Sequence, residues 1–156
     1  MWCGQAAVDM GDLEASKGDL SATDAKGQTA LIRSIVAGER DTFQWLLEAK
    51  APVDSPPLTH TALRAAALYG RVDFLRELLA RGADPRIPSA HGRTPLMGCG
   101  TPRSGVTREQ SLSCAKLLLE DQRGKSTLHF VNDDGETALH LATVGGHTDL
   151  ADLLCQ

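Results

Sequence analysis

Five histidines and four cysteines are the side chains in this 156-residue chain best suited to reactive chemistry. A histidine titrates near neutral pH and can move a proton or ligate a metal, and a thiolate can attack an electrophile or hold zinc. Either needs a partner. Cys3, Cys99, Cys114 and Cys155 are scattered, with no C-x-x-C pair and no close Cys/His pair, so reduced thiols are expected rather than a zinc site or a disulfide framework. No G-x-S-x-G, P-loop, H-E-x-x-H or dinucleotide fingerprint occurs, and no nucleophile has a base nearby. The expectation is a protein that is not an enzyme, with no catalytic residue, no cofactor and no metal.

Charge is the remaining chemistry. The formal net charge is −4, yet residues 81–108 carry Arg81, Arg86, Arg93, Arg103 and Arg108 against Asp84 alone. Such a local excess suits an acidic protein surface or another anion. Acidity elsewhere and an aromatic content of only 4% disfavour nucleic acid.

The elements that must hold these residues show themselves by repetition. A Thr, a small residue and a Leu recur at Thr29-Ala30-Leu31, Thr61-Ala62-Leu63, Thr94-Pro95-Leu96 and Thr137-Ala138-Leu139, at spacings of 32, 33 and 43 residues. A double Leu follows each, at Leu46-Leu47, Leu78-Leu79, Leu118-Leu119 and Leu153-Leu154. Between Thr61 and Arg86, Leu63, Ala66 and Ala67 form one apolar stripe at helical spacing, and Val72, Leu75, Leu78 and Leu79 form a second after Tyr69-Gly70. Each unit therefore predicts two short helices joined by a tight turn. Isolated helices below about 12–15 residues are marginal in water, so their burial must come from neighbouring copies.

This pattern resembles the ankyrin repeat, whose period is about 33 residues and whose T-P-L-H-x-A motif is approached by Thr94-Pro95-Leu96 and by Thr137-Ala138-Leu139-His140-Leu141-Ala142. The resemblance implies an all-α solenoid of stacked helix-turn-helix units with projecting β-turn or hairpin loops. It divides the single domain into an abbreviated N-terminal cap over 1–23 and repeats over 24–54, 55–86, 87–132 and 133–156. The third repeat carries insertions, within Thr101 to Ser111 and within Asp121 to Phe130, and Gly98, Gly100 and Pro102 are expected to shorten its first helix. The last lacks its closing turn. Lys50 stands where the family has Gly, which puts that turn in question. His140 and His147 fall on the family's structural positions, and His60, His91 and His129 fall in turns.

By the same resemblance, turn tips and first helices line a concave groove that binds a partner protein. The positions implied are Lys26, Gln28, Leu58, His60, Leu68, Tyr69, His91, Arg93, Asp134 and Glu136, with Arg103 and Arg108 added by the inserted loop. Leu58, Leu68 and Tyr69 would make an apolar centre beside basic His91 and Arg93, unless Leu68 and Tyr69 pack against an adjacent turn. The reading is an adaptor for a partner with an acidic patch; the alternative is binding of nucleic acid or another anionic ligand through 81–108. Thr101 and Ser104 are candidate phosphorylation sites beside Arg103. A monomer is expected, with no membrane association. Location within the cell, cytoplasmic or nuclear, is expected from the lack of a leader or an apolar run of spanning length.

Overall fold

Threonine hydroxyls start the helix pairs. Thr29, Thr61, Thr94 and Thr137 sit in extended backbone and accept the amides of Ile32, Arg64, Met97 and His140 at 3.1–3.4 Å. Each supplies an acceptor that the first turn of a helix lacks, worth about 1 kcal/mol. The computed structural model describes residues 20–54 and 60–156. The expected cap over 1–23 lies almost wholly outside them, as does Leu58.

Four pairs follow: α1 (Ala30–Ala37) with α2 (Arg40–Glu48), α3 (Ala62–Leu68) with α4 (Val72–Ala80), α5 (Pro95–Gly100) with α6 (Arg108–Glu120), and α8 (Ala138–Val144) with α9 (Thr148–Leu154). Between the last two pairs lie a short helix α7 (Gln122–Lys125) and a 3-10 turn over Ser126–His129. The first helices stack in the order α1, α3, α5, α8, and each packs on the second helix of its own pair. The architecture is the all-α solenoid expected. Among the described residues the only β feature is a single bridge between Thr23 and Thr29.

One apolar core runs through the stack. Leu31, Ile35, Leu63, Leu96 and Met97 fill it from the first helices, and Phe43, Leu46, Leu75, Leu78, Cys114, Leu118 and Leu150 from the second. Phe43 and Phe74 meet edge to face, centroids 4.5 Å apart. Repeats are also tied by side chains that cross between neighbouring pairs. Arg71 donates to the Val36 carbonyl at 3.4 Å, Arg81 donates to that of Leu47 at 3.3 Å, and the Asp54 carboxylate accepts the Asp84 amide at 3.0 Å.

The third unit refines the sequence reading. α5 is short, as expected, and ends on Gly100, but Gly98 and Gly100 also permit close approach. A Cβ on Gly98 would lie 3.3 Å from the Arg64 carbonyl oxygen, and one on Gly100 would lie 2.9 Å from the Ala142 amide nitrogen. The extra residues after α6 form α7 and the 3-10 turn rather than a loop, and Gly124 packs its bare Cα side on the Leu118 carbonyl. Lys50 adopts φ 63°, matching the left-handed Gly82 (φ 86°) one repeat later, so the turn forms without its glycine.

Two stability measurements follow. Gly100→Ala is expected to cost about 1–3 kcal/mol, because backbone must move to admit the methyl group; denaturant titration reads this, and an unchanged midpoint would contradict the close approach of α5 and α8. Lys50→Gly should stabilise the chain by roughly 0.5–1 kcal/mol through relief of the left-handed backbone, visible as a raised melting temperature.

Candidate functional site

Where the α3 end of the stack meets the following turn tip, positive charge gathers. Arg64 occupies the position that His140 fills in the last pair, but its side chain is only 3% exposed. Its Nη1 lies 2.6 Å from His60 Nδ1, and its Nε is buried with no hydrogen-bond partner. Burial chiefly, then the charges of Arg93 and Arg103, lower the Arg64 pKa to about 10. Burial also holds His60 below its ordinary value, with Arg64, Arg103 and Arg93 adding to the effect. A neutral His60 accepting from Arg64 fits the lowered His60 value.

Arg103 arrives from the inserted loop. It lies over the Tyr69 ring, its guanidinium carbon 3.9 Å from the centroid, and its Nη2 donates to the Tyr69 hydroxyl at 2.6 Å. A cation held on an aromatic face in this way is worth about 0.5–1 kcal/mol at an exposed site. Tyr69, the only tyrosine of the chain, is thereby bridged to the next repeat. Arg93 comes from the third turn tip. Its Nε is buried without a partner, and its Nη2 reaches only to 3.9 Å from Asp134. His60, Arg64, Tyr69, Arg93 and Arg103 thus form one cluster drawn from two repeats.

The other expected positions fall elsewhere. Lys26 and Gln28 belong to the first tip, where the Asp24 carboxylate accepts both their amides. Glu136 and Asp134 lie in the last tip, their amides held by the Asn132 side chain in the same fashion. His91 is exposed at φ 64°, and its carbonyl accepts the Asp133 amide at 3.0 Å. Leu68 is buried at 6% exposure, so it supports the layer from within and does not face outward beside Tyr69. Arg108 is exposed at the first position of α6. Within the basic segment, Arg81 engages Glu77 and the Leu47 carbonyl, and Arg86 engages Asp84 at 2.8 Å. Of the two serine and threonine candidates, Ser104 is exposed, whereas Thr101 is half-buried and donates its hydroxyl to the Met97 carbonyl.

Cys99 and Cys114 are buried; burial pushes both thiols up, that of Cys114 to about 12. Both are therefore poor nucleophiles at neutral pH. His140 completes a capping box, its Nδ1 accepting the Thr137 amide at 3.1 Å. Among the described residues no group of His, Cys, Asp or Glu is arranged to hold a metal ion, and no helix is long and apolar enough to cross a membrane.

A family model described as ankyrin repeats in three copies matches residues 6–89, and one for a single ankyrin repeat matches residues 134–156. The chain belongs to the ankyrin repeat family. Among curated ankyrin relatives, it is 33% identical to the human ankyrin repeat and SOCS box protein 16 over 76% of this chain and 24% of that protein. It is 30% identical to pig NF-kappa-B inhibitor alpha over 62% of this chain and 30% of that protein. It is 32% identical to the probable rice E3 ubiquitin-protein ligase XBOS33 over 94% of this chain and 28% of that protein. The chain thus spans less than a third of each of these relatives. The two family matches flank the third ankyrin unit, whose insertion supplies Arg103.

Arg64 is the site residue that sequence reasoning passed over. The signal was a charged residue at a position where the other units have Ile32, Met97 and His140.

The pH dependence of stability tests the cluster. Because the folded pKa of His60 lies below its ordinary 6.5, the unfolded chain takes up a proton that the folded chain refuses. The contribution of His60 is therefore complete above about pH 6.5 and is lost as pH falls below it. Denaturant titrations should show a shallower decline between about pH 7 and pH 5 for His60→Gln, which keeps an acceptor for Arg64, than for the natural chain. Superimposable profiles would rule out a buried neutral His60.

Proposed function

We propose that this chain is a non-enzymatic protein-binding module that docks a partner on the face formed by its turn tips and first helices, centred on the second and third full repeats. The observation that carries this reading is the Arg103–Tyr69 stack, flanked by Arg93, at the join of two repeats. Aromatic and arginine side chains near the middle of a patch are where binding energy concentrates. Ankyrin repeat family membership supports it, as does a relative that is by name an inhibitor of NF-kappa-B. The stack presents its tips without rearrangement, so ordering costs on binding are small. His91 and Arg93 favour a partner with an acidic patch, bound by one copy of this chain. The nearby acids Asp134 and Glu136 set the edge of that patch.

A broader basic surface over 81–108 has less support, because Arg81 and Arg86 are already engaged within the stack. The same engagement weakens the case for nucleic acid.

Quantitative affinity purification with the full chain tests the placement. Replacing Tyr69 and Arg93 together with Ala should reduce recovery of specific partners by about tenfold or more, the loss of about 1.4 kcal/mol, with the circular dichroism spectrum unchanged. Lys116→Ala, on an exposed position of α6, should recover them in full. Equal recovery by all three proteins would refute the placement.

A further inference from the structure

The cluster at the second and third repeats has a feature that a general docking face does not need. The guanidinium of Arg64 lies against His60, those of Arg93 and Arg103 act on both residues, and the one ion pair in the cluster is Arg93 with Asp134 at 3.9 Å. Two of the three arginines carry a buried Nε without an acceptor. A buried polar group left unpaired loses its hydration and gains nothing in return, and a buried arginine loses more because it does not shed its proton. Outside the cluster Arg71 also has a buried Nε without a partner, but its Nη2 donates to the Val36 carbonyl, and Arg86 has Asp84, Arg123 has Asp121 at 2.7 Å and Arg81 has Glu77. Here the acceptors present are a neutral imidazole and a phenol.

From this arrangement we infer that His60, Arg64, Tyr69, Arg93 and Arg103 form a seat for an oxyanion, and that its occupant is a phosphorylated serine or threonine side chain of the partner protein. The inference rests on the docking reading above and specifies its partner. Three guanidiniums against one loosely placed carboxylate leave an excess that one further carboxylate does not cancel. A phosphomonoester carries about −1.5 to −2 at neutral pH and three strong acceptor oxygens, which suits that excess. Arginine forks match phosphate in bidentate geometry. Tyr69 holds the exposed Arg103 in place beforehand, so little ordering remains on binding.

The experiment uses the full chain labelled with nitrogen-15, observed through the Nε–H resonances of its arginines. The probes are inorganic phosphate, N-acetyl-O-phosphoserine amide and N-acetylglutamate amide, added at matched ionic strength. Saturable movement of the Arg64 and Arg103 resonances is expected with the two phosphates, with Arg40 and Arg76 unmoved and with binding about tenfold or more tighter than for the glutamate compound. Arg103→Ala, a change on an exposed loop, should weaken phosphate binding by about tenfold, and Arg64→Met should abolish it. If Arg64→Met fails to fold, Arg103→Ala carries the test alone. Uniform shifts across all arginines, no saturation, or equal affinity for the glutamate compound would each overturn the inference. So would tighter, steeply salt-dependent binding of a single-stranded oligonucleotide, which would assign the seat to nucleic acid. Phosphate failing while partner recovery still depends on Tyr69 and Arg93 would overturn the seat and leave the docking face standing. Phosphate binding with recovery indifferent to Tyr69 and Arg93 would do the reverse.

Discussion

Among the described residues the paired helices are only 6 to 13 residues long, too short to bury their apolar faces within a pair, and the first helices solve the problem by bringing backbones close together. Ala62, Ala65, Ala66 and Ala67 on α3, Gly98 and Gly100 on α5, and Ala138 and Ala142 on α8 are all buried. Small side chains on facing helices let the layer close, so that the larger Leu and Phe residues of the second helices cover it. Tight packing of this sort also fixes where anything larger can go. A long side chain on α3 has no room among the alanines, and that of Arg64 instead extends to His60.

Much of this could be read from the sequence, because it depends on local chemistry that repeats. The N-cap role of each threonine needs only a hydroxyl before an apolar helix, and the double leucines needed only the period. Lys50 shows that the turn is set by the stack around it more than by the residue in it, since the left-handed backbone forms even where the glycine is missing. What could not be read depends on distance across repeats. Gly98 and Gly100 look like helix breakers in one dimension and act as contact points in three. Leu68 is one residue from Tyr69 and reads as part of the same surface, but helical rotation sends it inward. The bridge from Arg103 to Tyr69 spans 34 residues and begins in an insertion that no period predicts.

Local rules are obeyed over most of the described residues, and two of the three buried, unpaired arginine Nε atoms fall at one place. Turns and ion pairs agree with the fold, as do the threonine caps of the first helices, although α2, α4 and α9 begin without a side-chain cap. Against that background, a buried arginine without a carboxylate is a local conflict of the kind that foldable sequences tend to keep only where something other than stability is served. Its position beside the one tyrosine and the one inserted loop gathers three departures from the repeat at a single spot.

The arginines that reach back between repeats give the stack a polarity. Arg71 of the second pair donates to the carbonyl of Val36 near the end of α1, and Arg81 does the same for Leu47 near the end of α2. The first pair therefore takes two such bonds from its successor and gives one, from the Asp54 carboxylate to the Asp84 amide, so the C-terminal ends of α1 and α2 are finished by residues that come later in the chain. In a nearest-neighbour array loosening the second pair therefore also uncaps α1 and α2, so the first two pairs fray as one unit.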